Sequence, residues 1–179
     1  GYCIKSFGLS MIETAINLSE GKIQGSETQK ILEIIREMVN IRVEVLPGVQ
    51  ETLQKLVGNF KLMMITKGDL LDQERKLEQS GLKAFFNVIE VVNHKNTAVY
   101  QQILEKNAIL PEEFLMIGNS LRSDVLPVSA LGAYGVLINH HFTWEHEKMI
   151  NSEIGQHDYH EIMKITQLPI LIKSINTKK

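Results

Sequence analysis

The run Phe114-Leu115-Met116-Ile117 is wholly apolar and is broken at once by Gly118-Asn119-Ser120. A short apolar run ended by glycine and small polar residues is the pattern of a buried parallel strand that stops at a loop. This constrains the fold more than any other stretch, because a strand buried on both faces needs helices on both sides of its sheet. A second stretch has the same build: Leu62-Met63-Met64-Ile65 ends in Thr66-Lys67-Gly68-Asp69. In open α/β sheets ligands sit at the carboxyl ends of the strands. Two such ends therefore predict one site at one edge of a parallel sheet, with Asn119 and Asp124 both able to point into it.

The rest of the chain divides near Leu46-Pro47-Gly48. Before that point, residues 1–45 read as wholly helical. Leu9, Ile12, Ala15, Ile16 and Leu18 recur at helical spacing, as do Ile31, Ile34, Ile35, Met38 and Val39. Gly21 and Gly25 separate the two helices, and Ser26 with Gln29 fits a capping box at the start of the second. The hairpin reads either as a core element or as a small lid over a site. After the boundary, helices and strands alternate. Strands are expected over 61–66, 87–92, 114–117 and 134–138, and helices over 49–57, 70–79, 97–106 and 124–131. A short strand or turn and a final helix follow over 162–175. This alternation predicts a Rossmann-like, doubly wound parallel sheet flanked by helices.

Composition narrows the partners. The chain of 179 residues has a formal net charge of −2, so it carries no polyanion-binding footprint, and nucleic acid is not expected. No apolar segment approaches the length needed to span a bilayer, and no secretory signal is visible. The lone cysteine, Cys3, forms no internal disulfide and reads as a small packing residue in a reducing, cytoplasmic setting.

Several residues carry candidate chemistry. Thr66 ends a buried strand, so its hydroxyl and the N–H groups of the Lys67-Gly68 turn are placed to face an anion; an ordinary strand-to-helix turn has the same residues. Lys95, on the loop after strand 87–92, suits a phosphate as a point charge, unless it is merely solvated. His94 beside it reads as a solvated loop residue or an acid/base group. Asp124 with Asn119 suits a hard cation such as Mg²⁺, which takes one or two carboxylates plus water and substrate oxygens. Asp124 also reads as a helix N-cap, with Ser123 helping. The polar cluster His140, His141, Glu145, His146 and Glu147 does not match structural zinc spacing and reads as a solvated rim.

A strand ending in Thr66, then Lys95 before a helix, then G-N-S-L-R-S-D ending in Asp124, resembles motifs two, three and four of the haloacid dehalogenase-like hydrolase superfamily. The resemblance runs from about Leu46 to Ile138. It implies that residues 1–45 are a helical cap and residues 46–179 a core lacking its first strand. It also implies Mg²⁺-dependent phosphoryl transfer from a small phosphorylated metabolite through an aspartyl-phosphate. Thr66, with Lys67 and Gly68, would bind the transferring group, Lys95 would steady its charge, and Asp124 with Asn119 would hold Mg²⁺. Asn119 stands where many members carry an acid, which lowers the site's negative charge.

Motif one, an apolar strand followed by Asp-x-Asp, is absent, and no Asp-x-Asp occurs in the sequence. That motif supplies the nucleophile and the general acid/base. Family topology puts its strand in mid-sheet, so its loss leaves backbone groups of both neighbours unpaired. The chain by itself is therefore expected to be an inactive piece of a longer phosphatase. Two alternatives remain: a 2-haloacid dehalogenase-type hydrolase, and a non-catalytic regulatory module that keeps phosphate and Mg²⁺ sites. The unpaired edge also allows a strand-mediated homodimer.

Overall fold

The computed structural model describes residues 4–138 and 158–176. Cys3, Trp144 and the His140–Glu147 cluster lie outside the described residues. The chain opens with two helices, α1 (Ile4–Leu18) and α2 (Gly25–Asn40), packed as a hairpin. Gly8 makes their close approach possible: a Cβ there would lie 2.6 Å from the Ile35 Cδ1 atom. The turn between them places Glu20 and Gly21 at positive φ, so the chain emerges extended at Gln24. That residue, not Ser26, is the N-cap of α2, and Glu27 accepts its backbone N–H at 3.0 Å. Gln29 instead donates to Glu33 one turn on. The helix stops at Asn40, so the wholly helical reading of residues 1–45 overshoots, and residues 41–46 carry no helix. Much of the hairpin's apolar stripe is exposed, including Phe7, Leu9, Leu18 and Ile34.

Gly48 then starts α3 (Val49–Leu56) from a left-handed conformation, φ 80°. A Cβ there would meet Thr166 Cγ2 at 2.5 Å, so the position needs glycine for both its dihedral and its neighbour. The Thr52 hydroxyl donates to Gly48 O at 2.7 Å and closes the first turn. The alternation follows as β1 (Met63–Lys67), α4 (Leu70–Gln79), β2 (Val88–Val92), α5 (Thr97–Lys106), β3 (Leu115–Gly118), α6 (Leu126–Ser129), β4 (Tyr134–Ile138), β5 (His160–Ile162) and α7 (Leu168–Asn176). The expected bounds of α4, α5 and β4 agree with the structure, and β1 to β3 differ by one or two residues.

All strand pairs are parallel, with helices packed around them, as the alternation predicts. β1 pairs with β2, placing Ile65 opposite Glu90. β3 pairs with β4, and β4 with β5. Among the described residues these form two separate sheets, β1–β2 and β3–β4–β5. A shared apolar cluster nevertheless joins them: Ile65 from β1 and Met116 from β3 pack with Tyr100, Ile103 and Leu104 of α5 and with Val128 of α6. A second cluster binds α3 and α7 to the other sheet through Leu56, Val136, Ile162 and Leu168.

The helix expected over 124–131 is shorter than predicted. Residues Leu121–Val125 form one wide π-type turn, and α6 begins only at Leu126. Ser120, not Asp124, caps this turn: its Oγ accepts the Ser123 N–H at 3.0 Å. Pro127, in the first turn of α6, has no N–H to donate back into the preceding turn, so the backbone settles into the wider spacing there. Leu168 at the start of α7 is 1 % exposed. Leu168→Ala should lower unfolding stability by about 2–5 kcal/mol, read as a lower urea midpoint with an unchanged m-value.

Candidate functional site

The carboxyl end of β1 and the turn after β3 are joined by a side-chain contact, Lys67 to Ser123, and the segments around them supply the polar groups. Asp124, inside the wide turn after β3, is 4 % exposed. Its Oδ1 accepts Lys95 Nζ at 2.7 Å, and its Oδ2 accepts the Ser120 N–H at 3.2 Å. Lys95 arrives from the loop between β2 and α5, just before the Asn96 N-cap, whose side chain accepts the Val99 N–H. The lysine and aspartate side chains are 11 % and 6 % exposed, so this is a buried ion pair. Removing one partner of such a pair strands the other charge.

Glycine is obligatory where β3 ends. A Cβ on Gly118 would overlap the Asp124 carboxylate. The carboxylate thus packs directly against bare backbone. Beneath it, Tyr100 of α5 is fully buried, and its hydroxyl donates to Ser123 O at 3.1 Å. Burial first, and the Asp124 charge second, push the Tyr100 phenol far above its ordinary value. From β1, Lys67 Nζ donates to Ser123 Oγ at 3.3 Å. Two lysines, one at the end of β1 and one on the loop after β2, therefore converge on one five-residue turn.

Thr66 lies at the end of β1, where its Oγ1 donates to Gln73 Oε1 at 2.9 Å. Gly68 has φ 146°, and its N–H extends the β1–β2 ladder to Val92 O at 3.3 Å. Asp69 caps α4 by accepting the Asp72 N–H at 3.1 Å. It also accepts Lys5 Nζ of α1 at 3.1 Å. The Lys5 ammonium first, and the Asp72 N–H next, hold the Asp69 carboxyl below the usual carboxylate range. A small cleft of about 180 Å³ opens beside this bridge, lined by Ile4, Lys5, Val39, Asp69, Leu71 and Arg75.

The structure thus brings Lys95 and Asp124 into contact, ties Lys67 to the same turn, and places Thr66 at the end of β1 with Gly68 just after the strand. Asn119 and His94 stand exposed. Among the described residues, no group of three or more His, Cys, Asp and Glu side chains gathers to hold a metal. Residue-level reading names Ser123 only as a helper of the Asp124 cap and misses Ser120, Tyr100 and Gln73. Tyr100 reads as an ordinary core aromatic on the α5 stripe, and no local signal exposes the reach of Gln73 back to Thr66. The serines were quotable from G-N-S-L-R-S-D, but only the wide turn shows what they hold.

Residues 1–132 match the model of the haloacid dehalogenase-like hydrolase family. The chain is 28 % identical over 103 residues to a glyceraldehyde 3-phosphate phosphatase of Methanothermobacter thermautotrophicus, covering 54 % of this chain and 46 % of that protein. It is 27 % identical over 126 residues to the pyrimidine 5'-nucleotidase YjjG of Escherichia coli, covering 63 % of this chain and 56 % of that one. The chain therefore spans about half the length of these curated relatives. A crystal structure of a haloacid dehalogenase-like hydrolase from Xanthomonas campestris superposes with TM-score 0.86 at 37 % identity, over 99 % of this chain and 71 % of that one. With a parallel α/β fold and an ion pair at the carboxyl strand ends, the chain belongs to the haloacid dehalogenase-like hydrolase family.

Two outcomes follow from the buried groups. Lys95→Met should destabilise the chain by about 3–5 kcal/mol, and the Lys95→Met/Asp124→Leu pair should recover much of that loss, both read by urea unfolding. Tyr100 keeps its proton in the folded state after the unfolded phenol has lost its own. Stability from this group is thus complete below the unfolded value near pH ~10 and falls above it, by about 1.4 kcal/mol per pH unit. Tyr100→Phe should flatten that alkaline decline in thermal melts.

Proposed function

We propose that the parent protein is a Mg²⁺-dependent phosphatase of a small phosphorylated metabolite, working in the cytoplasm. The observation that carries this reading is the buried Lys95–Asp124 pair beside the Thr66 loop at the carboxyl ends of β1 and β3. In this reading Thr66 donates to a phosphoryl oxygen, and Lys95 and Lys67 balance the charge that gathers there. Gly68 lets the backbone come close to that group. The relatives named as a phosphatase and a nucleotidase support a phosphate ester over other substrates.

The donor set suits Mg²⁺. Asp124 is a buried carboxylate fixed by two donors, and Asn119 offers an amide oxygen on the same loop. Mg²⁺ needs only one or two carboxylates where water and substrate complete its shell. When bound, the cation would polarise the phosphoryl group. Asp124 would hold it, while Lys95 keeps the carboxylate anionic and oriented.

The nucleophile must come from elsewhere. We assign it to a further strand carrying Asp-x-Asp, seated between β1 and β3, where the two sheets leave no hydrogen-bonded partner among the described residues. Residues 1–45 then act as the cap and residues 46–179 as the core. The Lys5–Asp69 bridge is one contact between the two. A dehalogenase has less support, because a buried carboxylate at position 124 suits a metal better than a halide.

The test uses p-nitrophenyl phosphate with Mg²⁺. The 179-residue chain should show no turnover above its Thr66→Ala variant, and robust turnover would contradict the reading. In a parent that carries the extra strand, chelation should abolish activity. There, Thr66→Ala should lower kcat/KM by about 10²–10³-fold. Activity indifferent to chelation would favour the dehalogenase. A parent that binds phosphate and Mg²⁺ without any turnover would make it a regulatory module.

A further inference from the structure

The Gln73 side chain sits over the two groups assigned to the anion. Its Oε1 accepts the Thr66 hydroxyl proton at 2.9 Å. Its Nε2, Cδ and Cγ atoms lie 2.9, 3.4 and 3.4 Å from where a Cβ on Gly68 would stand. The carboxamide therefore fills the space over the bare face of Gly68 while accepting the one proton Thr66 has to give. The backbone of Gln73 is fixed, since its N–H donates to Asp69 O at 3.0 Å and Asp69 caps the same turn. Only the side chain is free to leave.

We propose that Gln73 sets the affinity of the anion site by competing with the incoming oxyanion for the Thr66 hydroxyl. This rests on the reading of Thr66 as a phosphate-binding residue. A hydroxyl has a single proton, so Thr66 serves either the Gln73 carbonyl or a phosphate oxygen. Binding requires the carboxamide to swing off Gly68, and that displacement lowers the affinity. The position lies in the first turns of α4, where shortening the side chain costs the helix nothing in propensity.

The experiment is titration of inorganic phosphate into the full 179-residue chain by calorimetry. It compares the wild type with Gln73→Ala, Gln73→Glu and Thr66→Ala. Gln73→Ala removes the competitor and should tighten phosphate binding by about two- to tenfold, the equivalent of one neutral hydrogen bond. Gln73→Glu keeps the acceptor and adds a negative charge, so binding should be lost. Thr66→Ala should weaken binding, and adding Gln73→Ala to it should restore little. Thermal melts of each variant within a few degrees of the parent show that the fold is kept.

Unchanged or weaker phosphate affinity in Gln73→Ala, with Thr66→Ala still impaired, would overturn the competition while leaving Thr66 in its role. Wild-type affinity in Thr66→Ala would overturn the reading of Thr66 itself. An absence of saturable binding in both the wild-type 179-residue chain and Gln73→Ala would overturn both.

Discussion

The buried pairing of Lys95 with Asp124 is the constraint on which the rest of the site depends. Neither charge is tolerable alone at that depth. Each is delivered by a different sheet, Lys95 from the end of β2 and Asp124 from the turn after β3. The pair therefore ties together two sheets that share no hydrogen-bonded ladder among the described residues. The apolar cluster under α5 supplies the second tie, and Tyr100 belongs to both, with its ring in the core and its hydroxyl on the Asp124 turn.

The wide turn at Leu121–Val125 is a local departure from ideal helix that has a use. An α-helix begun at Asp124 would put that carboxylate on its own N-terminal N–H groups. The wider turn hands capping to Ser120 and leaves one Asp124 oxygen for Lys95. Gly118 completes the arrangement by offering no side chain where the carboxylate lies. Strain, capping and charge are settled within seven residues, and the strand before them fixes where they stand.

Much of this was legible in residue order. Apolar runs ended by Thr66 and Gly118 mark two parallel strands, because burial on both faces leaves an uninterrupted apolar signature, but the two strands fall in separate sheets among the described residues and not at the edge of one. The α4 and α5 bounds were readable because Asp69 and Asn96 are side-chain caps with short reach. The cap of α2 departs from what residue type suggests: Ser26 is the better cap by type, but Gln24 caps the helix through its backbone and Glu27. Contacts set by tertiary packing left no local trace. The reach of Gln73 to Thr66 and of Lys67 to Ser123 depends on how two loops meet, and periodicity carries no record of that. The Lys95–Asp124 pairing was anticipated as a shared site only through the family resemblance, not as a contact.

Under the proposed function, the turn bearing Asp124 would be a divalent-cation site, held ready by Lys95. Mg²⁺ titration of the 179-residue chain followed by amide NMR tests it without relying on turnover. Saturable shifts concentrated at Gly118–Val125 and at Lys95, abolished by Asp124→Asn, are expected. Shifts that persist in Asp124→Asn, or none at any Mg²⁺ concentration, would contradict it.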